Sequence, residues 1–388
     1  MRIVSIEPTP SPHSMKINVN ETLPPDETYN YSDKDDLAHA PKYVQELFTL
    51  EGVKNIYRVV DFIALARNPK TPWEELLPQV RKVLGTEEAF NQADELSNAA
   101  EAPADTFGEV HVFIQTFLGI PMQVKLEEGD REERFGLPER FSNAVMEASP
   151  ASENVIMDRK WEEQHPRYGN LEEIGHDVVE ELKASFDQER LDTLVKMALQ
   201  TDKSAGSATN YYQHVPIEKL DNPDWRERYA ALDRLDPTLD DLALLEKAIH
   251  DEKASIRRLA TAYLGMLEDK AALPLLYEAL ADKAVNVRRT AGDCISDLGF
   301  TEAIPGMIET LKDKSRIVRW RGAMFLYEVG DESAIPALQE AAADEPEFEV
   351  RMQIKLALER IEGGEQAKGS VWHQMTQAAK SKTDLTTD

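Results

Sequence analysis

Apolar positions along this chain follow two periods, one helical and one alternating. From Trp225 to about Ile361 the period is helical, and the pattern itself recurs. Val287, Ala291, Cys294, Ile295 and Leu298 stand at offsets 0, 4, 7, 8 and 11, the buried stripe of an α-helix. Ile256 opens the same stripe through Ala260, Tyr263, Leu264 and Leu267. Val318 does so through Gly322, Phe325, Leu326 and Val329, and Val350 through Ile354, Ala357, Leu358 and Ile361. Second helices follow in register: Leu242, Leu245 and Ile249; Leu273, Leu276 and Leu280; Ile304, Met307 and Leu311; Ile335, Leu338 and Ala342. Ile256-Arg257, Val287-Arg288, Val318-Arg319 and Val350-Arg351 are spaced by 31, 31 and 32 residues, and Pro274, Pro305 and Pro336 share that step. A period in this range marks stacked supersecondary units. The pattern predicts an all-α solenoid over residues 222–364, about four helix pairs plus a half-unit cap. Trp225, Tyr229 and Leu232 begin its irregular first unit, and the array is long enough to bury a continuous core.

Upstream, alternation takes over. In residues 1–88, Arg2–Glu7 and Ser14–Asn20 read as strands, the second with Met15, Ile17 and Val19 alternating. Thr9-Pro10-Ser11-Pro12 is a turn in which helix is blocked. Pro41 opens a helix carrying Val44, Leu47 and Phe48, which Gly52 breaks. Val53–Val60 and Phe62–Arg67 are two further strands, and Pro72-Trp73 starts a helix carrying Leu76, Leu77, Val80 and Val83. The sum is a compact α+β domain. Glu87–Asp105, rich in Ala, Glu, Asp and Asn, reads as a helix passing into a linker over 89–107.

Residues 108–200 predict a second, small α+β domain. Glu109–Phe117 and Ile120–Leu126 alternate and form a hairpin whose face packs on the following helices, although its turn at Gly119 is not an ideal two-residue type. Leu171–Phe186 carries Ile174, Val178, Leu182 and Phe186 at helical spacing, with Asn170 as cap and Glu172-Glu173 in the first turn. A linker follows over 201–221. After Gly363-Gly364, residues 365–388 are expected to form a short docked cap, Gly369–Met375, and a disordered tail.

Composition narrows the function more than the fold. The formal charge of −28 is spread over the chain, with −8, −11 and −9 in residues 1–107, 108–222 and 223–388. No segment is basic enough to neutralise a row of phosphates, so nucleic acid is excluded as the expected partner. No apolar run approaches the ~20 residues of a membrane span, and the N-terminus lacks the apolar stretch of a signal peptide. A single cysteine rules out an internal disulfide, and a cytoplasmic location fits that usage best.

Candidate chemistry is sparse. Asp158-Arg159-Lys160-Trp161 and Arg167-Tyr168-Gly169-Asn170 gather cations and aromatics. Two readings stay open: an anion or partner site carried by Arg159, Trp161, Arg167 and Tyr168, or a corner where aromatics pack under arginine stems. His176 and Glu180 are one helical turn apart, but two residues do not make a metal site. In the repeats, Asp251, Asp282, Asp313 and Glu345 each precede a repeated arginine by six residues. That spacing suits a cap or a pair along the stack, so Arg257, Arg288, Arg319 and Arg351 read as a structural ladder. Arg258, Arg289 and Arg321 are less constrained and are expected to face a partner. Cys294 occupies the column of Tyr263, Phe325 and Ala357, which makes it a core filler. The chain has no Gly-rich phosphate loop, Cys-x-x-Cys, His-Glu-x-x-His or Gly-x-Ser-x-Gly. A protein without catalytic residues, cofactor or metal is the expectation, with an active site built from scattered residues as an alternative.

Three resemblances bear on role. Thr9-Pro10-Ser11-Pro12-His13-Ser14-Met15-Lys16-Ile17, followed by Leu47-Phe48, Gly52-Val53, Asp61-Phe62-Ile63 and Trp73, resembles the NifU/Nfu N-terminal domain over about 85 residues. Full Nfu proteins hold an iron–sulfur cluster through a Cys-x-x-Cys elsewhere, and Cys294 alone cannot ligate one. The repeats resemble HEAT repeats of the short phycobilisome-lyase type, through Ile256-Arg257 with Ala260 and Val287-Arg288 with Ala291. Some such arrays bind iron through His-Glu pairs, and no histidine here is followed by Glu. Taken whole, the chain resembles the conserved virulence factor C family of Gram-positive bacteria, with Arg288 to Gly299 especially close. The resemblance implies an intracellular accessory factor that influences virulence traits, with no catalytic residues assigned. The expected function is a non-enzymatic scaffold or regulator that docks protein partners on its solenoid. An accessory role in iron–sulfur assembly, without holding a cluster, is the alternative.

Overall fold

The structure is a computed structural model that describes residues 1–9, 11–24, 27–85, 109–129, 131–200 and 212–364. The expected Glu87–Asp105 helix and linker, residues 201–211 of the second linker, and the expected cap and tail after Gly364 lie outside the described residues.

The N-terminal domain is an antiparallel five-stranded sheet in the order β1-β2-β5-β4-β3, covered by two helices. Its elements are β1 (Ile3–Pro8), β2 (Ser14–Val19), β3 (Thr28–Ser32), α1 (Lys42–Phe48), β4 (Val53–Val59), β5 (Phe62–Arg67) and α2 (Trp73–Leu84). The alternating Met15, Ile17 and Val19 of β2, with Ile63 and Leu65 of β5, are buried against Trp73, Leu76 and Val80 of α2. Strand β3 went unrecognised in the sequence because Thr28–Ser32 has no aliphatic residue and pairs as an exposed edge. Gly52 turns α1 into β4 at φ +95°, where a side chain would be strained and would strike Thr71.

The middle domain contains β6 (Glu109–Phe117), β7 (Ile120–Glu128), β8 (Arg131–Gly136), α3 (Glu139–Ala148), β9 (Arg159–Tyr168), α4 (Leu171–Ser185) and α5 (Gln188–Leu199). Its sheet runs β8-β7-β6-β9. Phe117 pairs with Ile120 across a loop of two residues, Leu118 and Gly119, with φ +50° and +82°. This corrects the expectation of a non-ideal turn: positive φ at both positions matches the right-handed twist of the strands. Asn170 caps α4, its side chain accepting from Glu173 N–H at 3.1 Å. One sheet face packs on α4 through Val110, Val112, Val124 and Leu126, and the hairpin end packs on α3 and α5.

The repeats follow as α6 (Trp225–Asp233), α7 (Leu242–Ile249), α8 (Ala254–Met266), α9 (Leu273–Leu280), α10 (Val285–Leu298), α11 (Ile304–Thr310), α12 (Arg316–Val329), α13 (Ile335–Asp344) and α14 (Phe348–Glu362). In chain order these are four pairs and a single closing helix, the all-α solenoid the register predicts. Pro274, Pro305 and Pro336 recur because each sits in the first turn of the second helix of its pair, where no N–H is needed.

The chain forms two compact units, residues 1–107 with 299–388, and residues 108–298. In the first, α14 contributes Met352 to the core of the N-terminal domain, with Phe348 and Leu356 packed beside it. In the second, the middle domain lies against α6, α8 and α10.

Candidate functional site

An arginine column runs through the repeats of each unit. Arg228 Nε and Nη2 donate to Asp251 at 2.7 and 2.9 Å, and Arg257 donates to Asp282 at 2.6 and 3.0 Å. In the other unit Arg319 donates to Glu345 at 2.7 and 2.9 Å. Each of these arginines uses Nη1 to tie carbonyls five or six residues back: Arg257 holds Asp251 O and Glu252 O, and Arg319 holds Asp313 O. The carboxylates are pinned by their own turns, Asp251 by Lys253 N–H and Asp282 by Ala284 N–H. Two parallel N–H···O bonds suit a guanidinium and no other cation. The ladder inferred from spacing is present, and the side-chain partner is the carboxylate one unit ahead. Arg228 is a rung the sequence reading missed. The 31-residue step back from Arg257 lands on Arg226 instead, because the irregular first unit places its rung two residues later.

In residues 108–298 a second set of charges joins the middle domain to repeat helices. Arg167 donates to both oxygens of Glu181, at 3.2 and 2.7 Å, and Arg258 approaches the same carboxylate at 3.5 Å. Burial alone would raise the Glu181 carboxyl, but Arg167, Arg258 and the Tyr229 hydroxyl overcome it and hold the group below the ordinary carboxylate range. Burial, then the like charge of Arg167, pulls the Arg258 guanidinium below its usual value. One residue further, Tyr168 N–H donates to Asn286 Oδ1 at 2.9 Å. Arg289 donates to the Tyr168 hydroxyl at 3.4 Å and lies 5.3 Å from its ring centroid. Burial pushes the Tyr168 phenol up to about 12.

The expectation that Arg258, Arg289 and Arg321 face a partner is therefore corrected. Arg258 and Arg289 retain 13% and 3% of their exposure and are engaged by the middle domain. Arg321 is 8% exposed in the other unit, its guanidinium 5.4 Å from the Trp320 ring. Four candidates, Arg167, Tyr168, Arg258 and Arg289, are brought together in this seam inside the second unit. Arg159–Tyr168 is a ten-residue strand, β9, at the margin of its sheet and not a corner, but its aromatics do pack beside arginines, Trp161 at 5.7 Å from Arg134 and Tyr168 at 5.3 Å from Arg289. Arg159 and Trp161 stand exposed at its open end. His176 and Glu180 are turned to different neighbours, His176 to Glu172 and the Phe135 ring, Glu180 to Lys183 and Arg226. Cys294 is half-buried against α8, where a side chain on Gly265 would strike its sulfur, and burial raises its thiol pKa.

A cleft of about 680 Å³ opens where α4, α5 and α6 meet, lined by Arg140, Lys183, Asp187, Lys219, Arg226 and Arg234 among others. Its cations mostly have partners already: Arg234 pairs with Asp187 at 3.1 Å, and Arg140 donates to the Lys183 and Phe186 carbonyls at the end of α4. Among the described residues, no group of three or more His, Cys, Asp or Glu side chains is arranged to hold a metal ion. No described helix is long and apolar enough to cross a membrane.

Comparison with known proteins matches each part of this architecture. Residues 4–90 match the family of the scaffold protein Nfu/NifU N terminal, and 115–195 the family described as virulence factor. Residues 256–282 match the PBS lyase HEAT-like repeat and 279–359 the HEAT repeats. The uncharacterised protein YpgR of Bacillus subtilis is 56% identical over 98% of this chain and 99% of its own length. Conserved virulence factor C of Staphylococcus aureus is 46% identical over 97% of this chain and 99% of its own. The Staphylococcus saprophyticus protein of the same name is 42% identical over 98% and 100%.

Proposed function

The chain belongs to the family of conserved virulence factor C, and from that premise we propose that it is a non-enzymatic scaffold that docks protein partners on its HEAT-like repeats and so influences virulence traits. The observation that carries this reading is the double use of repeat helices as docking faces within the chain itself. Helix α14 supplies Met352 to the N-terminal core, and α8 and α10 supply Arg258 and Arg289 to the middle domain. Repeat arrays offer extended surfaces of this kind, and their exposed helix faces remain for other chains. The free thiol of Cys294 is in keeping with a cytoplasmic setting.

The test is affinity capture of the whole chain from its native host, with chemical cross-linking to locate each contact. A specific protein cross-linked to residues 222–364 is the expected result. Capture of no reproducible partner, or contacts confined to the N-terminal and middle domains, would end the proposal.

The match of residues 4–90 to the Nfu N-terminal family supports a second reading, an accessory role in iron–sulfur assembly without a cluster of its own. Unchanged activity of cluster-containing enzymes in a deletion strain disposes of it.

A further inference from the structure

Strand β9 changes character along its length. At its C-terminal end the outer margin is occupied, because Tyr168 N–H donates to Asn286. From Arg159 to His165 every residue is exposed. A register shift between Val110 and Val112 and the proline at 166, which has no N–H, separate the two parts. The side chains of Arg159 and Lys160 have no ion pair or hydrogen bond within the described structure.

An open sheet margin is a template for another strand, and proteins commonly guard it with charge. The charges here fail to guard against one particular strand. Read outward from Trp161, the sequence Arg159-Lys160-Trp161-Glu162-Glu163 has two cations on one side and two carboxylates on the other. In an antiparallel pair centred on Trp161, Arg159 of one copy stands opposite Glu163 of the other. Lys160 stands opposite Glu162, Trp161 opposite its own copy, and the two-fold repeats each ion pair. That self-complementarity is what an isologous interface requires, and opposite charges and aromatics directly across a ladder are the pairs that stabilise one.

We propose that β9 is the seam of an antiparallel two-fold dimer of this chain, which joins two four-stranded sheets into one. The proposal is independent of the scaffold reading.

Neighbouring contacts prepare the strand for this role. Trp161 already lies beside Lys125 and Arg134, at 5.0 and 5.7 Å from its ring centroid, and Lys125 also sits 4.3 Å from the Phe113 ring. These cations hold the indole on the open face of the sheet, where the second copy's indole meets it. Glu162 accepts from Thr116 at 2.9 Å and Glu163 contacts His111 at 3.2 Å, so both carboxylates are oriented. The opposite margin of the sheet makes the contrast. In β8, Arg131-Glu132-Glu133-Arg134 paired with itself about its centre sets arginine against arginine and glutamate against glutamate. Its arginines are also already paired within the strand or its turn, Arg131 with Glu133 and Arg134 with Glu132. A parallel pairing of β9 likewise opposes like charges.

The experiment is sedimentation velocity on the full chain across the micromolar range, with two charge-reversed variants. Wild type is expected to pass from monomer to dimer with concentration. Arg159→Glu/Lys160→Glu and Glu162→Lys/Glu163→Lys are each expected to stay monomeric. Their equimolar mixture, in which every cross-strand pair is again opposite in sign, is expected to associate more than about tenfold more tightly than either alone. All four sites are exposed, so unchanged circular dichroism serves as the folding control. A second measurement fixes the register. With Cys294 replaced by alanine, Trp161→Cys is expected to cross-link between copies, since directly opposed residues lie within disulfide reach. Monomeric wild type at every concentration, variants that dimerise unmixed as wild type does, or an absent cross-link overturns the proposal.

Discussion

The two compact units attach a globular domain to repeat helices by opposite means. In residues 1–107 with 299–388 the attachment is mainly apolar: Met352, Phe348 and Leu356 of α14 enter or flank the core of the N-terminal sheet. One buried ion pair, Arg67 to Glu349 at 2.9 Å, sits beside it. In residues 108–298 the attachment runs through Arg167, Glu181, Arg258, Tyr168 and Arg289. An apolar contact is tolerant of direction and charges nothing to keep its partners in register. A buried charge network demands that every member be present, because a lone buried charge is costly. The polar seam is therefore expected to specify one arrangement of the middle domain, and the apolar one to supply adhesion.

This contrast is open to direct tests. The largest effect is expected from Glu181→Ala, which leaves Arg167 and Arg258 facing each other without a carboxylate; unit 108–298 should lose about 3–5 kcal/mol in urea unfolding. A loss below about 1 kcal/mol would show that the network is solvated and dispensable. Met352→Ala removes an apolar plug from the other unit and should cost about 2–4 kcal/mol. Local hydrogen exchange should show the loosening confined to residues of the first unit.

Acid separates the two attachments. The folded Glu181 carboxyl lies below its unfolded value of about 4.3, so its contribution is fully present above that pH and disappears as pH falls through the lower, folded value. Acid should accordingly weaken the protection of residues 108–298 below about pH 4, and Glu181→Gln should flatten that dependence. An unchanged acid profile in the Gln variant would assign the sensitivity to other carboxylates. The smallest effect belongs to Trp161→Ala on the open strand. At concentrations where the chain is monomeric its folding stability should remain within about 0.5 kcal/mol of wild type, since the side chain belongs to neither core cluster of the middle domain.

Legibility followed the distance over which each interaction reaches. Helix stripes repeat every few residues, so their periodicity is visible locally, and Val287, Ala291 and Ile295 are buried where the register puts them. The Asn170 cap and the carboxylate–arginine spacing of the ladder are local in the same sense. Strands β3, β8 and β9 left no such trace, because an exposed margin strand needs no aliphatic face: β8 and β9 carry charges there, and β3 reads Thr-Tyr-Asn-Tyr-Ser.

The sequence alone determined the repeats, four of the five sheet strands of the first domain and the column of structural arginines from Arg257 onward. Each of these depends on spacing between near neighbours in the chain. The tertiary structure decided which arginines are internal. Arg258 meets a carboxylate 77 residues away and Arg289 a tyrosine 121 residues away, and no local pattern encodes such pairings. It also decided that Arg159–Glu163 lies on an open margin. The same five letters would mean a solvated helix face elsewhere, and only sheet order turns them into a strand with one side unpaired.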